Sequence, residues 1–290
     1  MFKGSIVAIV TPFKNGAVDE QKLRELVDFQ IDNGTDAIVA CGTTGESSTL
    51  DNEEHLSVVR IVFDQAKGRV PVIAGTGSNS TAEAINLTRE AKEVGVAGVL
   101  LVTPYYNKPT QEGLYRHYTA IADAVDIPQI LYNVPGRTGV NMLPETVARL
   151  AEHKNIVAIK EATGSLQQAS EIIALCGDKI DVFSGDDFIT FPMMACGAVG
   201  IISVLANIMP KAVADLTDAF FAGDLEKARQ LHLDTLKIGN AMFIESNPIP
   251  VKTALGLMGK CSDEVRLPLC EMSAGNKAKL EAIMKEYKLI

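Results

Sequence analysis

The feature that most limits what this chain can fold into is a rhythm: short apolar runs alternate with amphipathic stretches, eight times over by about residue 222. That alternation is the βαβα signature of a parallel sheet, because a crossover helix is the compact way to bring the chain back for the next parallel strand. The expected strands are residues 6–10, 37–40, 70–74, 98–102, 129–132, 156–160, 180–184 and 199–203. Residues 19–33, 51–67, 81–94, 111–124, 144–152, 166–175 and 187–195 are the helices expected between them. Eight units are what a closed (β/α)8 TIM barrel needs. An open doubly wound sheet would also alternate, but no GxGxxG follows the first run, so the dinucleotide-binding version is disfavoured. Beyond Gly223 no strand pattern returns, and residues 224–243, 250–258 and 273–287 read as helices. The expected organisation is therefore α/β, with a barrel over residues 1–223 and a C-terminal helical appendage over 224–290.

Composition narrows the function class. With 36 acidic against 27 basic residues and a net charge of −9, neither nucleic acid nor a membrane surface is expected as the main partner. The five cysteines, Cys41, Cys176, Cys196, Cys261 and Cys270, contain no CxxC pair and read as thiols of a reducing cytoplasm. The apolar run in residues 1–11 is too short and too soon interrupted for a signal or a membrane span. His55, His117, His153 and His232 show no close ligand spacing, so no metal site and no cofactor is expected.

Barrel active sites lie at the C-terminal ends of the strands, so the residues just after each apolar run carry the information. The sixth run, NIVAIKEATG at 155–164, ends on Lys160. Either Lys160 is a first loop residue whose amine snorkels to water, or it is a Schiff-base lysine whose free amine is favoured by desolvation. Cys41–Ser47, reading CGTTGES, is a Gly/Thr turn; beyond being a turn, it offers hydroxyls and amides suited to a carboxylate. Tyr132 should end its strand beside the strand of Lys160, where a phenol can shuttle the protons of carbinolamine formation. Arg137, in a Pro/Gly loop on the same rim, is either a surface residue or a clamp for a substrate carboxylate. SGDD at Ser184–Asp187 reads as a possible helix cap, and GIISVLAN at Gly200–Asn207 as an apolar wall.

Taken together, GTTGE, PYYNKP, YNVPGRTG, IKEATG, SGDD and NPIPVK at Asn247–Lys252 resemble the dihydrodipicolinate synthase family in order and spacing. The resemblance runs from GSIVAIVTP through NPIPVK, across the barrel and into the appendage. It implies a pyruvate-dependent class I aldolase-type lyase that condenses pyruvate with L-aspartate-4-semialdehyde at the first committed step of lysine and diaminopimelate biosynthesis. N-acetylneuraminate lyase and sugar-acid aldolases share the barrel, the lysine and the tyrosine. Arg137 and the tyrosines at 105 and 106 fit a short carboxylated aldehyde better.

Carried over residue by residue, the resemblance makes Lys160 the imine-forming lysine and Tyr132 the proton shuttle. Thr43 links Tyr132 to Tyr106, which reaches in from a neighbouring subunit of a homotetramer built as a dimer of dimers. Thr43 and Thr44 hold the pyruvate carboxylate, Arg137 receives the carboxylate of the second substrate, and Gly185 and the Ile202 backbone line the pocket. Ser47, Ser48, His55, Asn79, Glu83 and Tyr105 match positions at which lysine-inhibited members bind L-lysine, with Asn52 where those members often carry a histidine.

Overall fold

In the computed structural model, which describes residues 2–290, the eight apolar runs close into one parallel barrel, each strand pairing with its neighbours in chain order and the last returning to the first. The strands are Gly4–Ala8 (β1), Ala37–Ala40 (β2), Val72–Gly75 (β3), Gly98–Val102 (β4), Gln129–Asn133 (β5), Ile156–Glu161 (β6), Asp181–Ser184 (β7) and Gly200–Ser203 (β8). The near-continuous apolar runs in the sequence follow from this closure, since each strand is covered on both faces.

Side chains alternate between two separate cores. Ile6, Ala8, Ala37, Val39, Ile73, Leu100, Ile130, Tyr132, Ala158, Phe183 and Ile202 fill the barrel. Their chain neighbours Val7, Ile38, Ala40, Val72, Ala74, Val99, Leu101, Leu131, Ile159, Val182 and Ile201 pack outward under the helices. One irregularity interrupts the alternation. Gln129 pairs with Ile156, but the next residue, Ile130, pairs with Ala158, so Val157 has no partner on β5. From there on the register places Tyr132 opposite Lys160 and Asn133 opposite Glu161.

The helices start and stop where local chemistry directs. Asp51 forms a capping box with Glu54 at the head of the Asn52–Ala66 helix, and Lys67 ends it in a left-handed conformation. Asp19, Ser80, Thr110 and Ser165 cap the helices that follow them more simply, each side chain accepting from a backbone N–H.

Several element bounds differ from expectation for identifiable reasons. β1 spans Gly4–Ala8 rather than 6–10, because the apolar run continues past the ladder and the Val10 N–H goes to Asn207 Oδ1 at 3.1 Å. β3 begins at Val72, after Pro71, which has no N–H to give. The helix expected over 187–195 is a 3-10 turn, Asp187–Ile189, followed by Thr190–Ala195. The Pro/Gly loop carrying Arg137 is a one-turn helix, Pro135–Thr138, closed by Gly139. Two-residue strands Phe13–Lys14 and Ala17–Val18 form a small hairpin that the sequence pattern did not announce.

After Gly223 come the helices Leu225–Ala241, Ile249–Leu257 and Ala274–Glu286. The first packs along Pro210–Phe221 and the last against the other two. Ile249–Leu257 sends Lys252 into the barrel rim. Its Nζ lies 2.7 Å from Glu46 Oε1, donates to the Thr11 carbonyl at 2.9 Å, and stands 4.1 Å from the Phe13 ring centroid. Among the described residues, no helix is long and apolar enough to cross a membrane.

Candidate active site

Lys160 is 4% exposed and lies within β6, not in the loop after it, so it does not snorkel. The register sets it beside Tyr132 on β5 and Phe183 on β7. Its Nζ stands 4.4 Å from the centroid of the Tyr132 ring. Glu161, next in the chain, points the other way. It accepts from Asn133 Nδ2 at 3.1 Å, Gln168 Nε2 at 3.3 Å and the Thr163 N–H at 2.9 Å, and burial pushes its carboxyl up from the usual range. Lys160 therefore has a phenol beside it and, among the described residues, no carboxylate salt bridge.

A cavity of about 60 Å³ opens at this point, lined by Thr43, Thr44, Tyr132, Arg137, Lys160 and Gly185, among others. The sequence expectation for six site residues is thus gathered around one space. Gly185 is held tight against the strand of the lysine: its N–H donates to the Glu161 carbonyl at 2.7 Å, and a Cβ there would come within 2.5 Å of the Ala162 Cβ. Ile202 is wholly buried in the barrel interior, and from the Gly200–Asn207 segment it is Val204 that lines the cavity.

Two polar cavity residues had no role in the site assigned from the sequence. Asn247, from the appendage, donates Nδ2 to Thr44 Oγ1 at 3.0 Å, and its backbone carbonyl accepts from Arg137 at 3.3 Å. Because Asn247 occupies a lone pair of the Thr44 oxygen, the hydroxyl proton of Thr44 is available to a carboxylate. Asp186 is the other. It stood in the SGDD motif, where a helix cap was the plain expectation, and it lines the cavity instead. Its neighbour Asp187 does cap a turn, but a distant one, accepting from Ser203 Oγ at 2.5 Å and from the N–H groups of Val204 and Leu205 at 3.1 and 3.2 Å. Burial raises both carboxyls above their ordinary range, and the Lys160 charge opposes that rise.

Tyr106 is not brought to the cavity. It is 90% exposed with φ +73°, a left-handed conformation that costs a non-glycine residue about 1–3 kcal/mol unless its surroundings impose it.

A second space of about 360 Å³ adjoins the first and shares Thr43, Tyr132 and Arg137 with it. Ser47, Ser48, His55, Glu83 and Tyr105 line it, along with Asn52. His55 donates Nε2–H to the Gly75 carbonyl at 2.8 Å, and burial lowers its pKa below the ordinary histidine value. Glu83 accepts from the Ser78 hydroxyl. Asn79 lies apart from this lining; its amide is spent on the Tyr105 carbonyl at 3.1 Å.

The chain is similar to known proteins along its whole length. A family model described as the dihydrodipicolinate synthetase family matches residues 1–287. A 4-hydroxy-tetrahydrodipicolinate synthase of Trichlorobacter lovleyi is 91% identical over 290 residues, all of both chains. The chloride-inhibited dihydrodipicolinate synthase of Acinetobacter baumannii, solved in complex with pyruvate, superposes with a TM-score of 0.98 at 50% identity over 100% of each chain. The Cyanidioschyzon merolae enzyme solved with lysine bound gives 0.96 at 41% identity, over 100% of this chain and 99% of that one.

Proposed function

The chain belongs to the dihydrodipicolinate synthetase family, and from that premise we propose that it condenses pyruvate with L-aspartate-4-semialdehyde through a Schiff base on Lys160. The observation that carries the reading is the pairing of Lys160 with Tyr132 across β6 and β5, on the wall of a cavity that also holds Thr43, Thr44 and Arg137.

The Lys160 amine adds to the pyruvate ketone carbon, and the carbinolamine oxygen leaves as water. Both steps move protons between nitrogen and oxygen, and the Tyr132 phenol is the group placed to carry them. The threonine turn supplies hydroxyl and amide donors to the pyruvate carboxylate, with the Thr44 proton freed for that purpose by Asn247. Loss of a proton from the pyruvate methyl gives the enamine, whose carbon attacks the aldehyde of the second substrate. Arg137 receives the carboxylate of that substrate; the bond from Arg137 to the Asn247 carbonyl fixes its guanidinium on the cavity rim. Borohydride added with pyruvate should inactivate the enzyme and leave one pyruvate-derived adduct on the peptide containing Lys160. An adduct on a different lysine would sink the assignment.

The same proposal extends to assembly. An exposed tyrosine in a left-handed conformation is explained if Tyr106 completes the proton path to Thr43 in a neighbouring chain, within a tight dimer paired again into a tetramer. L-lysine is the proposed ligand of the adjoining space, where Glu83 and the serine hydroxyls would take its ammonium groups. Partial inhibition by L-lysine that saturating pyruvate does not relieve is the expected behaviour. No heat of binding and an unchanged rate at high L-lysine would remove that site. With all five cysteines unpaired, action in a reducing cytoplasm belongs to the same reading.

A further inference from the structure

The second substrate of the proposed reaction is an amino acid as well as an aldehyde. Its carboxylate has Arg137 and its aldehyde has the enamine, but its α-ammonium has been given nothing. That group enters a cavity that holds the guanidinium of Arg137, while the nitrogen of Lys160 is by then part of the neutral enamine. A cation placed beside a like charge and partly removed from water is disfavoured unless an acceptor meets it.

Asp186 is the one acidic side chain among the described residues that line this cavity. Its position is fixed by the loops on both sides. The carboxylate Oδ2 accepts from the Gly164 N–H at 3.1 Å, and the backbone carbonyl accepts from Ser184 Oγ at 2.8 Å and Thr190 Oγ1 at 3.3 Å. Among the described residues no donor is placed on the other carboxylate oxygen. Asp186 shares the wall of this cavity with Lys160, whose amine forms the imine.

Building on the reaction proposed above, we infer that Asp186 selects an amino-acid aldehyde: its second carboxylate oxygen accepts from the α-ammonium of the substrate while Arg137 holds the α-carboxylate. The two charged side chains then read the two ends of the zwitterion, and the aldehyde carbon is left to face the enamine. A sugar aldehyde or a plain keto acid offers no cation for Asp186 to meet, and it leaves the carboxylate desolvated without compensation.

The bland account of Asp186 is a staple that ties the loop after β6 to the loop after β7. Asp186→Asn separates the two accounts, because the amide oxygen still accepts from Gly164 while the charge is gone. The experiment measures steady-state kinetics with aspartate semialdehyde, borohydride trapping by pyruvate alone, and inhibition by succinic semialdehyde, which has the same chain and carboxylate without the amine. Asp186→Asn should lower kcat/KM for aspartate semialdehyde by roughly tenfold to a hundredfold, the range expected for a hydrogen bond between charged groups. Trapping should persist, and the succinic semialdehyde inhibition constant should stay within about twofold, because that ligand never made the contact. An equal loss for both aldehydes would make Asp186 a scaffold residue and overturn the inference, as would kinetics unchanged with aspartate semialdehyde. Wild-type enzyme that traps pyruvate but rejects aspartate semialdehyde would refute the choice of second substrate, and this inference with it. Absence of trapping in the wild type would instead refute the Schiff base.

Discussion

Replacing Lys252 by methionine should be among the most damaging single changes in the chain, although the residue touches no substrate. The side chains of Lys252 and Glu46 are 0% and 1% exposed and lie 2.7 Å apart. Glu46 Oε2 also accepts from the Arg266 N–H at 3.1 Å, and Lys252 donates to the Thr11 carbonyl at 2.9 Å. Methionine fills the volume and removes the ammonium, so Glu46 is left with one backbone donor in a dry site. Breaking one side of a buried ion pair costs about 3–5 kcal/mol. For a domain near this size that corresponds to a fall of roughly 6–20 °C in Tm, at about 2–4 °C for each kcal/mol. Thermal unfolding followed by circular dichroism reads the change. The double variant Lys252→Met with Glu46→Gln should regain at least half of the loss, since neither partner is then an unpaired charge. Glu46 is also, with Cys41, one of the two left-handed residues of the Cys41–Ser47 turn. The single variant should therefore need more pyruvate as well as melting earlier. A single variant that melts within about 2 °C of wild type, or a double variant no more stable than the single one, refutes the reasoning; the first threshold corresponds to under about 1 kcal/mol.

The other predictions concern substrate binding, acid stability and assembly. Arg137→Ala should cost roughly tenfold to a hundredfold in kcat/KM for the semialdehyde while leaving borohydride trapping by pyruvate intact; lost trapping would move Arg137 to the pyruvate site or the scaffold. His117 Nδ1 is bonded to Thr81 Oγ1 at 2.9 Å, its Nε2 is buried without a partner among the described residues, and burial lowers its pKa to about 4. Its folded value lies below the unfolded one, so as pH falls through about 6.5 towards about 4 only the unfolded chain takes up the proton, and about 2 kcal/mol of stability is lost by pH 5. Urea midpoints at pH 7 and 5 should show this slope in wild type and a shallower one in His117→Gln; parallel slopes would exonerate His117. Mixing inactive Tyr106→Phe with inactive Lys160→Ala chains should restore activity in sites that regain both groups, and no recovery after verified mixing would favour a site built within one chain.

The barrel and most of the site were legible because their signals are local. An apolar run with a polar residue soon after it is readable in ten residues, and Lys160, Tyr132, Thr43, Thr44 and Arg137 announce themselves this way, whereas Gly185 came only with the family resemblance. Three things were not readable, and two of them depend on distance along the chain. Asn247 acquires its role from Thr44, 203 residues away, and Lys252 from Glu46, 206 residues away. Asp186 and Asp187 are adjacent and identical in type. One faces the cavity and the other caps the turn after β8, a difference set by side-chain direction. The end of β1 was misplaced for a related reason: Ile9 and Val10 are as buried as the strand before them, but their burial comes from packing outside the ladder.

The unpartnered Val157 makes the chemistry depend on counting. Substitutions along Ile156–Glu161 change what the strand is made of and leave its phase against β5 untouched. A slip of one residue would not be gradual: in a period of two it turns Lys160 out beneath the helices and presents Ile159 or Glu161 to Tyr132. Insertions and deletions in this strand should thus abolish imine formation even where the barrel still closes, whereas changes of length in the loops at the opposite rim are tolerated. Strand length here works as an address, deciding which of two neighbouring side chains, an amine or an acid, is offered to the ketone.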